Sequence, residues 1–295
     1  MFYIGLSGGL GNQMFQYAFG VAASLESDIP LALDLYNFGK EGPKYTPRSF
    51  QLHHFNIQAK IASEIECSKF HTKKAWFVRK IKDRLFRTED HVFNPKALKV
   101  KHNQYLQGLW QSEKYFIKYA DTIRKELSLK EPFGMEALAV ANQILELKKK
   151  GITPVLVHVR RGDFVTNAAS LSLLGVLGES YFTQGVEHIY HKLKESHPET
   201  KLHLFIASED TAWVEKNVKF HHPVTYISRP GIYDFEELIL MSHCDHFVIS
   251  NSTFSWWSAW LSTSENKIVI APKVWMQGNP NVKTDDLIPA SWHRI

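Results

Sequence analysis

The second half of the chain alternates between short apolar runs and helical patterns, and this alternation constrains the fold more than any other feature. Apolar runs at 154–159, 202–207, 224–228, 246–250 and 267–271 have the length of buried strands. Segments with helical spacing separate most of them, notably 181–193, 234–243 and 254–261. Strands interleaved with helices pair in parallel, because each connection must return across a sheet face, and the outcome is an open, doubly wound α/β sheet. The chain also opens on such a unit. Phe2, Tyr3, Ile4, Gly5 and Leu6 read as a buried strand, a glycine turn follows, and Met14, Phe15, Ala18, Val21, Ala22 and Leu25 recur at helical spacing. A second strand at 31–35 is predicted to lie parallel to the first. From 36 to 100 the signal is weak, apart from a basic helical pattern at 76–86. Lys148, Lys149, Lys150 and Gly151 make a helix stop, which places a domain boundary near 150. Two α/β domains, 1–150 and 151–295, agree with a length of 295 residues.

Composition narrows the function. With 44% hydrophobic and 22% charged residues, the chain can bury a sizeable core and is neither disordered nor fibrous. Lys plus Arg number 35 against 30 Asp plus Glu, a net charge of +5. This favours anionic ligands, but the basic residues are scattered and do not form a nucleic-acid footprint. The 13% aromatic content suits sugar stacking as well as core packing. Two cysteines, Cys67 and Cys244, supply neither a disulfide framework nor a cysteine zinc site, which points to the reducing cytoplasm. No apolar run reaches the roughly 18 residues of a membrane span, and the first residues lack a basic signal-peptide region. A peripheral contact at the inner face of the membrane stays open. The basic stretch 73–87 is a solvated helix face or a contact for an anionic membrane or lipid-linked glycan.

Ligands of open α/β sheets bind beyond the carboxyl ends of the strands, and here those ends are polar. One strand runs into Arg160, Arg161, Gly162 and Asp163, a second into Ser208, Glu209 and Asp210, a third into Ser250, Asn251, Ser252 and Thr253. Adjacent arginines can neutralise a diphosphate through their planar forks. Ser252 and Thr253 stand at a predicted helix N-terminus, where free N–H groups favour phosphate. Glu209 or Asp210 can accept hydrogen bonds from a base or ribose. Singly, these are a solvated arginine pair, a helix cap and a helix start; together they describe a nucleotide-diphosphate site. Strand alternation puts His158 and Arg160 on one side and Val159 and Arg161 on the other, so His158 is either on the ligand side or a hydrogen-bonded core histidine.

The glycine turn carries a rival reading. Gly9, Leu10 and Gly11 between strand and helix resemble a dinucleotide fingerprint, and Asp34 fits its ribose-binding acid. Met14, however, fills the place where a third glycine would permit close helix–strand contact. An NAD-linked dehydrogenase is the alternative in another class of chemistry, and a plain chain reversal is a third reading. Asn12 and Gln13 favour a ligand role, since their amides can bond hydroxyls or phosphate.

The segment Gly8, Gly9, Leu10, Gly11, Asn12, Gln13, Met14, Phe15 resembles the N-terminal motif of bacterial α-1,2-fucosyltransferases. His158, Val159, Arg160, Arg161, Gly162 and Asp163 are similar to the His-x-Arg-Arg-x-Asp motif that this family shares with α-1,6- and protein O-fucosyltransferases. The run from Ser250 through Asn251, Ser252, Thr253, Phe254 and Ser255 to Trp256 and Trp257 resembles its C-terminal motif. Segments beginning at Gln111 (with Ser112, Glu113, Lys114) and at Ser208 (through Trp213) also fit, so five motifs stand in family order.

The resemblance implies two Rossmann-like domains in a glycosyltransferase B architecture, with an N-terminal acceptor-side domain and a C-terminal domain holding GDP-fucose. It implies inverting transfer of fucose from GDP-β-L-fucose to the 2-hydroxyl of a terminal galactose in a glycan, without a cofactor or a required metal. The lack of an Asp-x-Asp triplet is consistent with that. Arg160, with His158 and Asp163, becomes the expected catalytic set. Gly9, Gly11, Asn12, Gln13, Arg161, Ser208, Asp210, Asn251, Ser252, Thr253 and Phe254 become the expected substrate-binding residues. Asp163 and Glu113 are candidate bases for the acceptor hydroxyl. Two features depart from the family: Glu209 where an Asp is commoner, and an apolar stretch at 168–178. A non-catalytic sugar-binding module of the same fold is the remaining alternative, and the intact His158, Arg160 and Asp163 speak against it.

Overall fold

A computed structural model describes residues 1–39, 48–75, 77, 91–162, 167–279 and 281–295. Asp163 and almost all of the basic 76–86 segment lie outside the described residues. Contacts divide the chain into two compact units, Met1–Lys130 with Lys283–Pro289, and Glu131–Val282 with Ala290–Ile295.

The first unit holds a four-stranded parallel sheet ordered β3-β2-β1-β4. Its strands are β1 (Phe2–Gly5), β2 (Leu31–Asp34), β3 (Lys60–Ile61) and β4 (Tyr105–Leu106). Helix α1 (Leu10–Ser27) is apolar on nearly every side through Ala23 and is buried accordingly, whereas Leu25, expected on its buried stripe, is exposed. Gly20 lets α1 lie close to the sheet: a Cβ there would stand 2.7 Å from Leu31 and 2.8 Å from Ile4.

The second unit is built on six parallel strands: β5 (Ile152–His158), β6 (Lys201–Ala207), β7 (Val224–Tyr226), β8 (His246–Val248), β9 (Val269–Ala271) and β10 (His293–Arg294). Their order, β10-β9-β8-β5-β6-β7, is that of a doubly wound sheet whose strand sequence reverses between β5 and β8. Around it run α2 (Met135–Lys149), α3 (Glu179–Ser196), α4 (Thr211–Asn217), α5 (Asp234–Ser242) and α6 (Thr253–Leu261). In α3, Phe182, Gly185, Val186 and Ile189 face inward at helical spacing. They pack on Val155, Val157, Leu204, Ile206, Val248 and Ile270 of the sheet.

The boundary between units falls after Lys130, earlier than the 150 expected from the lysine–glycine stop. That stop does end a helix, but α2 belongs to the second unit. It buries Ala137, Val140 and Ile144 and packs along β5. The preceding Gly134 N–H donates to Glu236 on α5 at 2.6 Å.

Candidate active site

In the second unit the strand order reverses between β5 and β8, the place where open α/β sheets bind ligands beyond the carboxyl ends of their strands, and two of the polar clusters stand at those ends. Ser250 joins them. Its hydroxyl donates to the His158 carbonyl at 2.6 Å and accepts the Arg160 N–H at 2.9 Å. The Tyr181 hydroxyl supports the same turn by donating to the Ile249 carbonyl at 2.7 Å. Ser252 caps α6, accepting from the Phe254 N–H at 3.3 Å, and Thr253 is the first helical residue. Phe254 lies with its ring centroid 5.9 Å from that of His158.

His158 is buried, and among the described residues its Nδ1 has no hydrogen-bond partner. Burial, reinforced by the neighbouring Arg160 charge, pushes its pKa down to about 3, so the ring is neutral at physiological pH.

The third cluster meets the arginines from β6. Arg160 pairs with Glu209, and Arg161 Nε stands 3.3 Å from Asp210 Oδ2 with its guanidinium carbon 3.7 Å from the Trp213 ring centroid. Asp210 also caps α4, accepting from the Trp213 N–H at 3.1 Å. Ser208 shapes the turn: its hydroxyl accepts from Asp210 N–H and its own N–H donates to Ser228 Oγ. Ser228 in turn donates to Glu237, whose carboxyl is held above the usual range by burial although this hydrogen bond and, after it, the Arg160 charge pull the other way. Ser250 belongs to the polar strand end that the sequence marks, although not to the expected substrate-binding set; Ser228, Glu237 and Tyr181 lie on separate elements and carry no such signal in the sequence.

Asn251 is buried and spans two loops, its amide donating to the Leu174 carbonyl at 2.7 Å and the Trp275 carbonyl at 3.0 Å. Its amide nitrogen is thus spent on tying these two loops together.

In the first unit, Gly8 has φ +79°, which favours glycine, and Gly9 is the N-cap of α1 with no side-chain cap. Gly11 is buried in the first turn. Gln13 is fully engaged by the protein: its amide donates to the Gly8 and Ser49 carbonyls and its oxygen accepts from the Gln51 N–H. Asn12 accepts from Gln111 at 2.9 Å and is the more accessible amide. Asp34 is not placed as a ribose acid. It is buried and accepts from the Tyr105 hydroxyl at 2.7 Å, faces His71 Nε2 at 2.8 Å, and takes the Tyr36 N–H at 3.1 Å. Glu113 opens a short 3-10 helix, Glu113–Tyr115, and is half-buried.

Among the described residues no group of three or more His, Cys, Asp or Glu side chains could hold a metal ion. No helix among them is long and apolar enough to cross a membrane.

The chain matches glycosyl transferase family 11 over residues 1–295. It is 30% identical to an alpha-1,2-colitosyltransferase of Escherichia coli, covering 98% of this chain and 97% of that one. It is 31% identical to the O-antigen biosynthesis glycosyltransferase WbnK of Escherichia coli, over 95% of this chain and 97% of the relative. Among solved structures it resembles a mutant Arabidopsis thaliana FUT1 in complex with GDP, with TM-score 0.54 and 12% identity over 98% of this chain and 74% of that chain. That likeness supports the fold, the glycosyltransferase B type with parallel α/β sheets.

Proposed function

The chain belongs to glycosyl transferase family 11, and from that premise we propose that it moves L-fucose from GDP-β-L-fucose to the 2-hydroxyl of a terminal galactose in a glycan, inverting the donor linkage to an α-1,2-fucoside without a required metal. Family membership removes the dehydrogenase and non-catalytic readings, and the chain is a glycosyltransferase. The observation that carries the donor half is the convergence of Arg160, Arg161, Ser250 and the α6 N-terminus at the strand reversal between β5 and β8. The linkage is supported by the 1,2 in the name of the Escherichia coli colitosyltransferase, and a surface-polysaccharide acceptor by the name of WbnK. The galactose acceptor rests on the motif resemblance. In this reading the second unit takes the sugar nucleotide and the first takes the acceptor, at the cytoplasmic face of the membrane on a lipid-linked glycan.

The chemistry follows from charge. The acceptor oxygen bonds to fucose C1 as the bond from C1 to the β-phosphate oxygen breaks, and that electron pair leaves with GDP. The acceptor proton passes to a base, for which Asp163 and Glu113 are the candidates. Negative charge grows on the diphosphate, and Arg160 stabilises it there, preorganised by the Ser250 bridge to its N–H. His158, neutral, orients the loop or the donor, and Ser252, Thr253 and Phe254 line the phosphate and nucleotide pocket. Asp210 holds Arg161 and is a candidate partner for guanine or ribose.

The test combines binding with turnover. Melting is measured without metal with GDP-fucose, a GDP-activated colitose, GDP-mannose, UDP-galactose and NAD. A ligand at 100 times its dissociation constant adds roughly 2.7 kcal/mol, and GDP-fucose is expected to give the largest shift. Arg160→Lys keeps the charge but lacks the planar fork, and kcat is expected to fall on the order of 10²–10³. Near-normal turnover of that variant sinks the leaving-group role, and a larger shift with NAD or UDP-galactose sinks the donor.

A further inference from the structure

Asp34 closes β2 with its side chain buried, and its oxygens are heavily used. One accepts the Tyr36 N–H at 3.1 Å. The other accepts the Tyr105 hydroxyl at 2.7 Å and faces His71 Nε2 at 2.8 Å. Burying a carboxyl group costs free energy unless its bonds are satisfied. Here those bonds hold one stretch of backbone and two rings in place.

The two rings continue an aromatic row. Tyr3 of β1 is buried and its ring centroid lies 5.0 Å from that of Phe70, which lies 4.9 Å from that of Tyr105 in β4. Tyr105 meets His71 edge-on at 5.6 Å, and His71 stacks on Tyr36 at 3.6 Å with the planes 13° apart. The row runs from the core to the surface and ends on Tyr36, which is 48% exposed. Tyr36 follows the carboxyl end of β2, on the side where open α/β sheets take their ligands. Its loop is braced, because the Phe38 N–H returns to the Leu35 carbonyl at 3.0 Å and the Asn37 amide donates to the Leu6 carbonyl at 3.0 Å. A half-exposed ring adds little to a core, yet both its backbone and the ring behind it are fixed.

We propose that Tyr36 is a stacking platform for the acceptor, receiving one face of its terminal galactose, with Asp34 and His71 as positioning residues. This rests on the acceptor half of the reading above and deepens it by naming the ring that binds the sugar. The C–H groups on one face of galactose form an apolar patch suited to an electron-rich aromatic ring. The 2-hydroxyl stands at the ring edge, so stacking leaves it uncovered for reaction. The groups fixed beside the platform are a carboxyl, a histidine and a tyrosine, whereas guanidiniums gather at the strand ends of the second unit. That setting suits a neutral ring over a phosphate-bearing one. A platform fixed in advance also loses little conformational freedom on binding.

The test is the kinetics of fucose transfer to lactose and to N-acetyllactosamine at saturating GDP-fucose, with GDP affinity measured alongside by calorimetry. Tyr36→Ala is expected to raise the acceptor KM roughly three- to tenfold, with GDP affinity unchanged. Tyr36→Phe keeps the ring and is expected to recover most of that loss. His71→Ala removes the backing and is expected to raise the acceptor KM as well. The proposal falls if Tyr36→Ala leaves the acceptor KM unchanged, or if it weakens GDP binding, since the ring would then serve the donor. It falls also if Tyr36→Phe is as impaired as Tyr36→Ala, because the hydroxyl and not the ring face would be the contact. A lowered kcat at unchanged KM in His71→Ala would make Asp34 and His71 a proton relay and overturn their positioning role. If the wild type binds GDP but transfers fucose to neither galactoside, the acceptor reading itself falls and takes this inference with it.

Discussion

His158 shows how one side chain's setting decides its chemistry. Its motif marks it as functional, yet only the folded chain decides its protonation: buried beside Arg160, it is neutral down to about pH 3. The sign of its effect on stability follows. The folded pKa is depressed below the unfolded value of roughly 6.5, so its contribution is complete above that value and is lost as pH falls toward the folded one. Between pH 7 and 5, urea unfolding of the wild type should lose stability more steeply than that of His158→Asn, by up to about 1.4 kcal/mol per pH unit below 6.5. Equal slopes for the two proteins would contradict the burial argument. Gln13 makes the complementary point. Its place in a glycine turn suggested an amide available to ligand, but both its oxygen and its nitrogen are bonded to backbone. A sequence exposes the residue type, whereas bond saturation depends on loops at Ser49 and Gln51 that lie far along the chain.

At the scale of elements, the long strands and helices of the second unit were legible because their periodicity is strong over seven or more residues. Strand β6 and the helices α3, α5 and α6 lie where the pattern puts them, to within a few residues. The two-residue strands β3, β4 and β10 were not legible, since two residues have no period and are strands only through their neighbours. Helix–sheet spacing is set by details equally invisible in a periodic pattern. Gly185 of α3 sits so close to the sheet that a Cβ would lie 2.7 Å from Val248 and 3.4 Å from Ile270. Gly185→Ala should therefore destabilise the protein by up to about 2 kcal/mol, since overpacking of about 1–3 kcal/mol is offset by a gain of roughly 1 kcal/mol in helix propensity. A neutral or raised melting temperature for that variant would show that α3 can shift away from β8 without cost.

At the scale of the whole molecule, the chain visits its two units more than once. Lys283–Pro289 belongs to the first unit, after which Ala290–Ile295 returns to the second and contributes β10. Asp286 secures the first of these visits: it accepts the Phe93 N–H at 2.8 Å and pairs with Lys114, and although burial pushes its carboxyl up, these contacts together hold it below the usual range. Asp286→Ala should cost about 1–3 kcal/mol, the penalty for a partly buried donor left without its acceptor. Hydrogen exchange at the Phe93 amide should speed up in that variant, and unchanged protection there would sink the assignment. The division by contacts falls away from the helix stop for a related reason: a helix stop reports where a helix ends, and what a helix packs against decides its unit. By itself the sequence determined the α/β class, the positions of the main strands along the chain and the polar strand ends, because periodicity and strand-end chemistry are local properties of consecutive residues. Only the tertiary structure decided that Arg160 and Arg161 have different partners, that Ser250 joins β5 to β8, and that Gln13 and the amide nitrogen of Asn251 are spent on the framework. Those assignments depend on burial and hydrogen-bond pairing between residues distant in the chain, which exist only once the strands are side by side.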